Sequence, residues 1–331
     1  SIYQADTVAT DVIIRNCTFL DPARRGPSEG LGNSAIRFEG YVEDLRIEGN
    51  RYSGRSPIDN VIYGNMFAFV GVGRNGVIAR NEAIDSYDSM IYTRMDSVAF
   101  IDNIVRNAGK DGIKNIEVIG VNANTPGWGA VGRAYFHGNE IERSAWVILG
   151  SQNLINVDGP DNTIEGNLLI VGDSTGFLVD QAQNGIKING NNSYVFNNVF
   201  KGRNYELPGY PGEFAILISD TAAVRRSNVV KNNIFDGWRF GVVISSTTWN
   251  PIIEGNTFTA IDSIGIHDYS PKQSYSKYIR NTFDNVNHCY RISGTDSLLR
   301  AFNIYTNTGS IDGAAATVAD TLSDQYNIFL D

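Results

Sequence analysis

The side chains best suited to moving protons and holding anions gather in two stretches of the chain. Tyr92 and Arg94 lie within residues 89–95 and Lys114 within 111–115, with Asp85, Asp88 and Asp111 just ahead of them. His267 and Tyr269 flank Asp268, and Arg291 follows further on. A tyrosine, lysine or histidine can transfer a proton, and a guanidinium can neutralise a carboxylate through two parallel hydrogen bonds. Such a set could remove a proton α to a carboxylate and stabilise the enolate-like charge, while an acid protonates the leaving oxygen. Hydrolysis of a glycosidic bond instead uses two carboxyl groups, about 5 Å apart for retention and roughly 6.5 to 9.5 Å for inversion. Asp88 with Asp111, or Asp180 with a neighbour such as Glu213, are the pairs that this chemistry would take.

Residues some twenty positions apart meet only if the chain repeats. Ten asparagines recur at one phase: Asn50, Asn81, Asn103, Asn139, Asn167, Asn198, Asn233, Asn256, Asn281 and Asn303, and Cys17 holds the same place in an eleventh copy. The spacing between copies runs from 22 to 36 residues, a minimum period with variable insertions, which is the mark of a solenoid. Each copy is a short alternating apolar run, the asparagine, and often a large apolar residue two places later, the period of a strand and not of a helix. A second strand follows about ten residues on, so each coil carries two or three strands that stack in parallel on the next. An inward amide alone in an apolar core is costly. Stacked at one corner about 4.8 Å apart, each amide can bond its neighbours and the turn backbone. The chain is therefore predicted to be an all-β solenoid of about ten or eleven coils with an inward asparagine ladder.

Counting from the ladder fixes which second-strand residues point out. The tenth residue is Ile91, Ile113, Phe177 or Ile266 and reads as inward; the eleventh, Tyr92, Lys114, Leu178 or His267, then points outward, as do Arg94, Ile116, Asp180 and Tyr269 two further on. Two outer clusters result, Tyr92 with Arg94 and Lys114, and His267 with Tyr269 and Arg291. The first is preferred, because long insertions at about 21–33 and 117–133 border its coils and could wall a cleft, and the second of them carries Trp128, an aromatic on which a ligand ring could stack. The outer column turns apolar at Leu178, Leu217 and Val243, as a surface covered by loops or by another subunit would.

With its asparagine repeat the chain resembles the right-handed parallel β-helix proteins of the pectin-lyase-like superfamily, over about residues 10–310. That resemblance implies the handedness and a carbohydrate polymer as ligand, since the superfamily includes polysaccharide lyases, glycoside hydrolases, uronate epimerases and trimeric phage tailspikes. It implies as the leading function a lyase cleaving a uronate-containing polysaccharide, with a tailspike-like hydrolase or a non-catalytic, adhesive β-helix as alternatives. The alginate and chondroitin lyases draw a lysine and an arginine from neighbouring coils and use calcium; here Arg94 precedes Lys114, the reverse of their order, and no residue role carries over. The motif sets of pectate lyases and polygalacturonases and the Asp-Pro-His segment of mannuronan epimerases are absent. A homotrimer and an extracellular or virion-surface location are the matching expectations.

Composition narrows the rest. With no linker or low-complexity stretch, one β-helix domain over 1–331 is the simplest organisation. Its first ladder strand lies close to residue 1, which predicts a missing amino-terminal cap, and alanines at helix-like spacing within 310–331 could form a carboxy-terminal capping helix. A net charge of -9 argues against nucleic acid and admits a polyanion only where cations are concentrated locally. No apolar run is long enough for a membrane span. Cys17 and Cys289 sit too far apart along a solenoid to pair. The Gly71 to Gly76 match to GxGxxG has no helix after it and is set aside. The three histidines lack metal-ligand spacing, and Asp158, Asp161 and Asn162 could take calcium but more simply make a turn.

Overall fold

The computed structural model describes residues 8–20, 34–56, 62, 64, 66–116, 131–143, 152–171, 183–202, 214–219, 227–270, 274–293, 297–312 and 328–330. These carry strands and no helix, and the strands pair in parallel from coil to coil, as Tyr194–Phe196 does with Val229–Lys231. The fold is a right-handed parallel β-helix. The backbone falls into two compact units, one holding the described residues up to Asn162 and the other those from Thr163.

The corner that makes each coil comes from one backbone conformation. The residue immediately before every ladder position lies in the left-handed region: Asn16, Arg80, Asp102, Asn197, Asn232, Arg280 and Phe302, with Gly49, Gly138, Gly166 and Gly255 in the other coils. A left-handed residue between two short extended segments turns the chain sharply, which explains the glycines and asparagines there and makes Arg80, Arg280 and Phe302 strained exceptions. Glycine at 138 has a further reason, since a Cβ there would lie 2.3 Å from Asp102 Oδ1.

At these corners the ladder forms as predicted. In the first unit Asn50 Oδ1 accepts the Cys17 amide at 3.0 Å, Asn81 Oδ1 accepts both the backbone N–H and the side-chain amide of Asn50 at 3.0 Å, and Asn103 and Asn139 continue in the same way. In the second unit the run is Asn167, Asn198, Asn233, Asn256, Asn281 and Asn303. Apart from Asn167, whose Nδ2 donates to Glu165 O in its own coil at 3.0 Å, each Nδ2 also reaches a carbonyl of the preceding coil, as Asn233 does to Val195 O at 2.9 Å. No amide is orphaned, so a column of buried polar groups is tolerated. A second inward polar position, five residues earlier, is absent from the sequence-based reading: Ala134 N donates to Asn162 Oδ1 at 3.1 Å in the first unit and Ser193 N to Asn228 Oδ1 at 2.9 Å in the second. The Asn162 amide also donates to Gly159 O at 2.7 Å, so this side chain ties the turn to the neighbouring coil.

Between the corners lie apolar columns. In the second unit the residue two places after the asparagine is Leu169 in the first coil and aromatic in the coils that follow, where Phe200, Phe235, Phe258 and Phe283 stack with centroids 4.8 to 4.9 Å apart, followed by Tyr305 at 5.5 Å. Burying such rings is the largest favourable contribution per residue to a β core. Cys17 and Cys289 are both free thiols, and burial raises the Cys289 thiol to about 12. The proposed carboxy-terminal capping helix falls mainly outside the described residues; the described ends of that region, Ser310–Asp312 and Ile328–Leu330, are strands.

Candidate functional site

The strand register places the first cluster as counted. In the first unit Ile36, Ala68, Ile91, Ile113 and Ile155 form one inward column, and the next residues, Arg37, Phe69, Tyr92, Lys114 and Asn156, form the outward one. Arg94 follows Tyr92 on the same face. Successive rungs are one coil apart, so side chains 22 residues apart in sequence become neighbours.

The resulting strip alternates cations and rings. The Arg37 guanidinium lies 5.8 Å from the Phe69 centroid, Arg94 lies 5.7 Å from Phe69 and 5.1 Å from Tyr92, and the Lys114 ammonium lies 5.0 Å from Tyr92. Phe69 and Tyr92 meet edge to face at 5.4 Å. Cation–ring contacts of this length hold long side chains in place without neutralising them. The Arg94 Nε and Nη2 both donate to the Tyr92 hydroxyl oxygen, at 3.1 and 3.0 Å, which fixes the phenol and aims its own O–H away from the guanidinium.

Counter-charges are unevenly distributed. Arg37 pairs with Glu39, and Lys114 lies 3.4 Å from Asp111 Oδ2. Asp111 is 4% exposed, and its other oxygen accepts the Asn153 backbone and side-chain N–H at 2.9 and 2.8 Å. Asp88 joins Lys110 at 2.9 Å and accepts the Ser89 N–H at 2.7 Å, at the turn beside the trio. Asp85 is buried under Arg55 Nε at 2.8 Å and Asn107 at 2.9 Å. Most arginines with described side chains carry such a carboxylate, as in Arg55–Asp85, Arg74–Glu43, Arg106–Glu140 and Arg280–Glu254. Arg94 has none among the described residues, and Arg15, Arg239 and Arg291 share that state.

Three members of the strip escaped the sequence count. Arg37, Phe69 and Asn156 lie 20, 19 and 17 residues after Cys17, Asn50 and Asn139, not eleven, because insertions push their strands downstream. Asn156 is 8% exposed although it sits on the outer face, and its Oδ1 is buried with no hydrogen-bond partner among the described residues.

The second cluster lies in the second unit, where Lys187, Leu217, Val243, His267 and Arg291 form the outward column. His267 is 5% exposed, its ring sits 4.0 Å from that of Tyr269, and burial, assisted by Arg291, lowers its imidazole to about 4. Asp268 points inward, where Ser270, Ser276 and Tyr278 all donate to it. Trp128, Asp180, Glu213, Leu178 and both long insertions expected to wall the first cluster lie outside the described residues. Among the described residues no group of three or more His, Cys, Asp or Glu side chains could hold a metal ion.

Solved structures with this architecture exist at low sequence identity. The tailspike protein of E. coli bacteriophage HK620, solved with a pentasaccharide, is 12% identical with a TM-score of 0.58 over 95% of this chain and 60% of its own. PfbA, a surface adhesin of Streptococcus pneumoniae, is 11% identical with a TM-score of 0.58 over 96% of this chain and 84% of its own. The A-module of the Azotobacter vinelandii mannuronan C-5 epimerase AlgE4 is 12% identical with a TM-score of 0.55 over 96% and 90%. This chain thus spans less than two thirds of the tailspike. No protein-family model and no curated protein matches the sequence. At these identities the likeness defines the class of fold, the parallel β-helix.

Proposed function

We propose that the protein is a polysaccharide lyase that binds a uronate-containing chain across the outer strip of its first unit and cleaves it by β-elimination. The observation that carries this reading is Arg94, a guanidinium with no carboxylate partner among the described residues, holding the Tyr92 phenol beside the Lys114 ammonium. In a chain of net charge -9, such a local surplus of positive charge attracts an acidic ligand. Arg94 and Lys114 bind the uronate carboxylate and stabilise the charge that spreads into it when the α proton leaves. Tyr92 and Lys114 divide the two proton transfers, one taking the α proton from carbon and the other delivering a proton to the departing glycosidic oxygen. The carbon–oxygen bond breaks, a carbon–carbon double bond forms, and no water is added.

The hydrolase alternative finds less support at Asp88 and Asp111, because the oxygens of both carboxylates are already engaged by lysines and N–H donors. The polymer fits neighbours of this fold that act on mannuronan, were solved with a pentasaccharide, or serve as surface adhesins. It also fits a place outside the cell or on a virion, with a trimer as one arrangement.

The test is a panel of acidic and neutral polysaccharides, incubated with and without added calcium and followed by ultraviolet absorbance of unsaturated ends and by reducing ends. A lyase raises both, and Tyr92→Phe or Lys114→Ala lowers turnover at least about 100-fold with melting nearly unchanged. Reducing ends without absorbance would make it a hydrolase. Binding without products would make it an adhesin.

A further inference from the structure

We infer that the outer face of the second unit carries a separate binding site for a carboxylate-bearing sugar, formed by His267, Tyr269 and Arg291. It stands whether or not the first unit cleaves anything. His267 projects from the solvent side of its sheet, between Val243 on one coil and Arg291 on the next. It is nevertheless 5% exposed, and its Nε2 is buried without a hydrogen-bond partner among the described residues. A polar atom left so carries a desolvation cost that a ligand hydroxyl would recover.

The surroundings indicate which ligand. Tyr269 lies 4.0 Å from the imidazole and is itself 42% exposed, so it offers a ring face on which a pyranose can stack beside His267. Arg291 is exposed, and neither it nor Arg239, whose guanidinium lies 5.3 Å over Phe240, has a carboxylate among the described residues. The neighbouring acid, Asp268, is fully buried and occupied by Ser270, Ser276 and Tyr278, so it does not compete for them. The imidazole, held at about 4 by burial and by Arg291, is neutral at pH 7 and leaves the full charge of Arg291 for an anion. A sugar carboxylate therefore takes the planar fork of Arg291, its ring lies on Tyr269, and one hydroxyl bonds His267. Metal binding is a poorer use of this histidine, because no group of three or more His, Cys, Asp or Glu side chains that could hold an ion forms among the described residues.

The experiment uses the full chain carrying Arg94→Ala and Lys114→Ala, so that the two cations proposed to hold a uronate carboxylate in the first unit are removed. Tetrasaccharides of galacturonate, mannuronate and glucuronate, and neutral cellotetraose, are titrated by calorimetry. The His267 ring resonances, assigned by their loss in His267→Gln, are followed by NMR. At least one acidic tetrasaccharide is expected to bind and to shift those resonances. Adding Arg291→Ala or Tyr269→Ala should weaken that binding at least ~10-fold, and cellotetraose should bind at least ~10-fold more weakly than the acidic probe. Both residues are exposed, and an unchanged melting curve confirms that the added variants fold. The inference is overturned if no acidic probe binds in this background, if Arg291→Ala and Tyr269→Ala leave binding intact, or if the neutral probe binds equally. Product formation by the unaltered protein decides the lyase reading separately.

Discussion

In the second unit the position two residues after each ladder asparagine is aromatic from Phe200 to Tyr305; in the first unit it holds Tyr52, Ala83, Val105 and Ile141. There the rings sit elsewhere, with Phe100 and Phe136 stacked at 4.7 Å three places before the asparagine. The outer columns differ as well. One runs Arg37, Phe69, Tyr92, Lys114, Asn156, and the other Lys187, Leu217, Val243, His267, Arg291. Both are built on the same corner, a left-handed residue followed by a ladder amide. The corner alone therefore makes the coil, and the inner and outer columns are free to diverge, which is how one scaffold can hold two differently charged faces.

The largest test of this contrast is in the core. Phe258 lies between Phe235 at 4.8 Å and Phe283 at 4.9 Å, so Phe258→Ala should cost about 3 to 5 kcal/mol in denaturant unfolding. Val105→Ala at the matching place in the first unit should cost about 2 kcal/mol, from the methyl groups lost. Equal losses would mean that the aromatic column adds nothing of its own. The ladder should behave in the opposite way: Asn81→Leu and Asn233→Leu should each cost about 1 to 3 kcal/mol, alike in both units, because each removes an acceptor from two donors of the preceding coil. A loss confined to one unit would end the idea of a common corner.

A titration sharpens the outer contrast. His267 has a folded value near 4 against 6.5 in the unfolded chain, so the unfolded state takes up a proton first as pH falls. Its contribution is thus fully present above pH 6.5 and is lost between 6.5 and 4, on the order of 2 kcal/mol. The difference in stability between the unaltered protein and His267→Gln should depend on pH in that window; a constant difference would show that the imidazole is not desolvated. The smallest effect concerns the backbone. Ala260 adopts φ +51°, four residues after Asn256, and Ala260→Gly should raise stability by about 0.5 to 1 kcal/mol by relieving the left-handed strain. A drop in melting temperature would count against it.

The sequence displays the ladder because an inward amide has few substitutes: only a side chain with both donor and acceptor can bond two coils at once. It displays Tyr92, Arg94 and Lys114 because their coils share one short connection, ten residues from the asparagine to the inward Ile91 or Ile113, so a single count reaches both. Arg37, Phe69 and Asn156 were hidden by insertions that break the count, although a short aligned pattern, Ile36-Arg37, Ile91-Tyr92, Ile113-Lys114 and Ile155-Asn156, would have found all but Phe69, whose inward partner is Ala68. The second polar column at Asn162 and Asn228 was missed for another reason: asparagine in a turn explains itself locally, and only the long-range bond to Ala134 or Ser193 reveals the stacking. The burial of His267 was not legible at all, since an outward phase ordinarily means exposure.

The left-handed residue before each ladder position has a consequence for how such a chain can change. Copies stand 22 to 36 residues apart, yet the distance from that residue to the amide never varies. Growth and shrinkage are thus confined to the connections away from the ladder corner, while the corner keeps its bookmark in every turn. A segment between two corners can be exchanged for one of another length without shifting the alignment of those that follow. The molecule is in that sense a rack with interchangeable slots, and a new recognition loop could be grafted between any two corners.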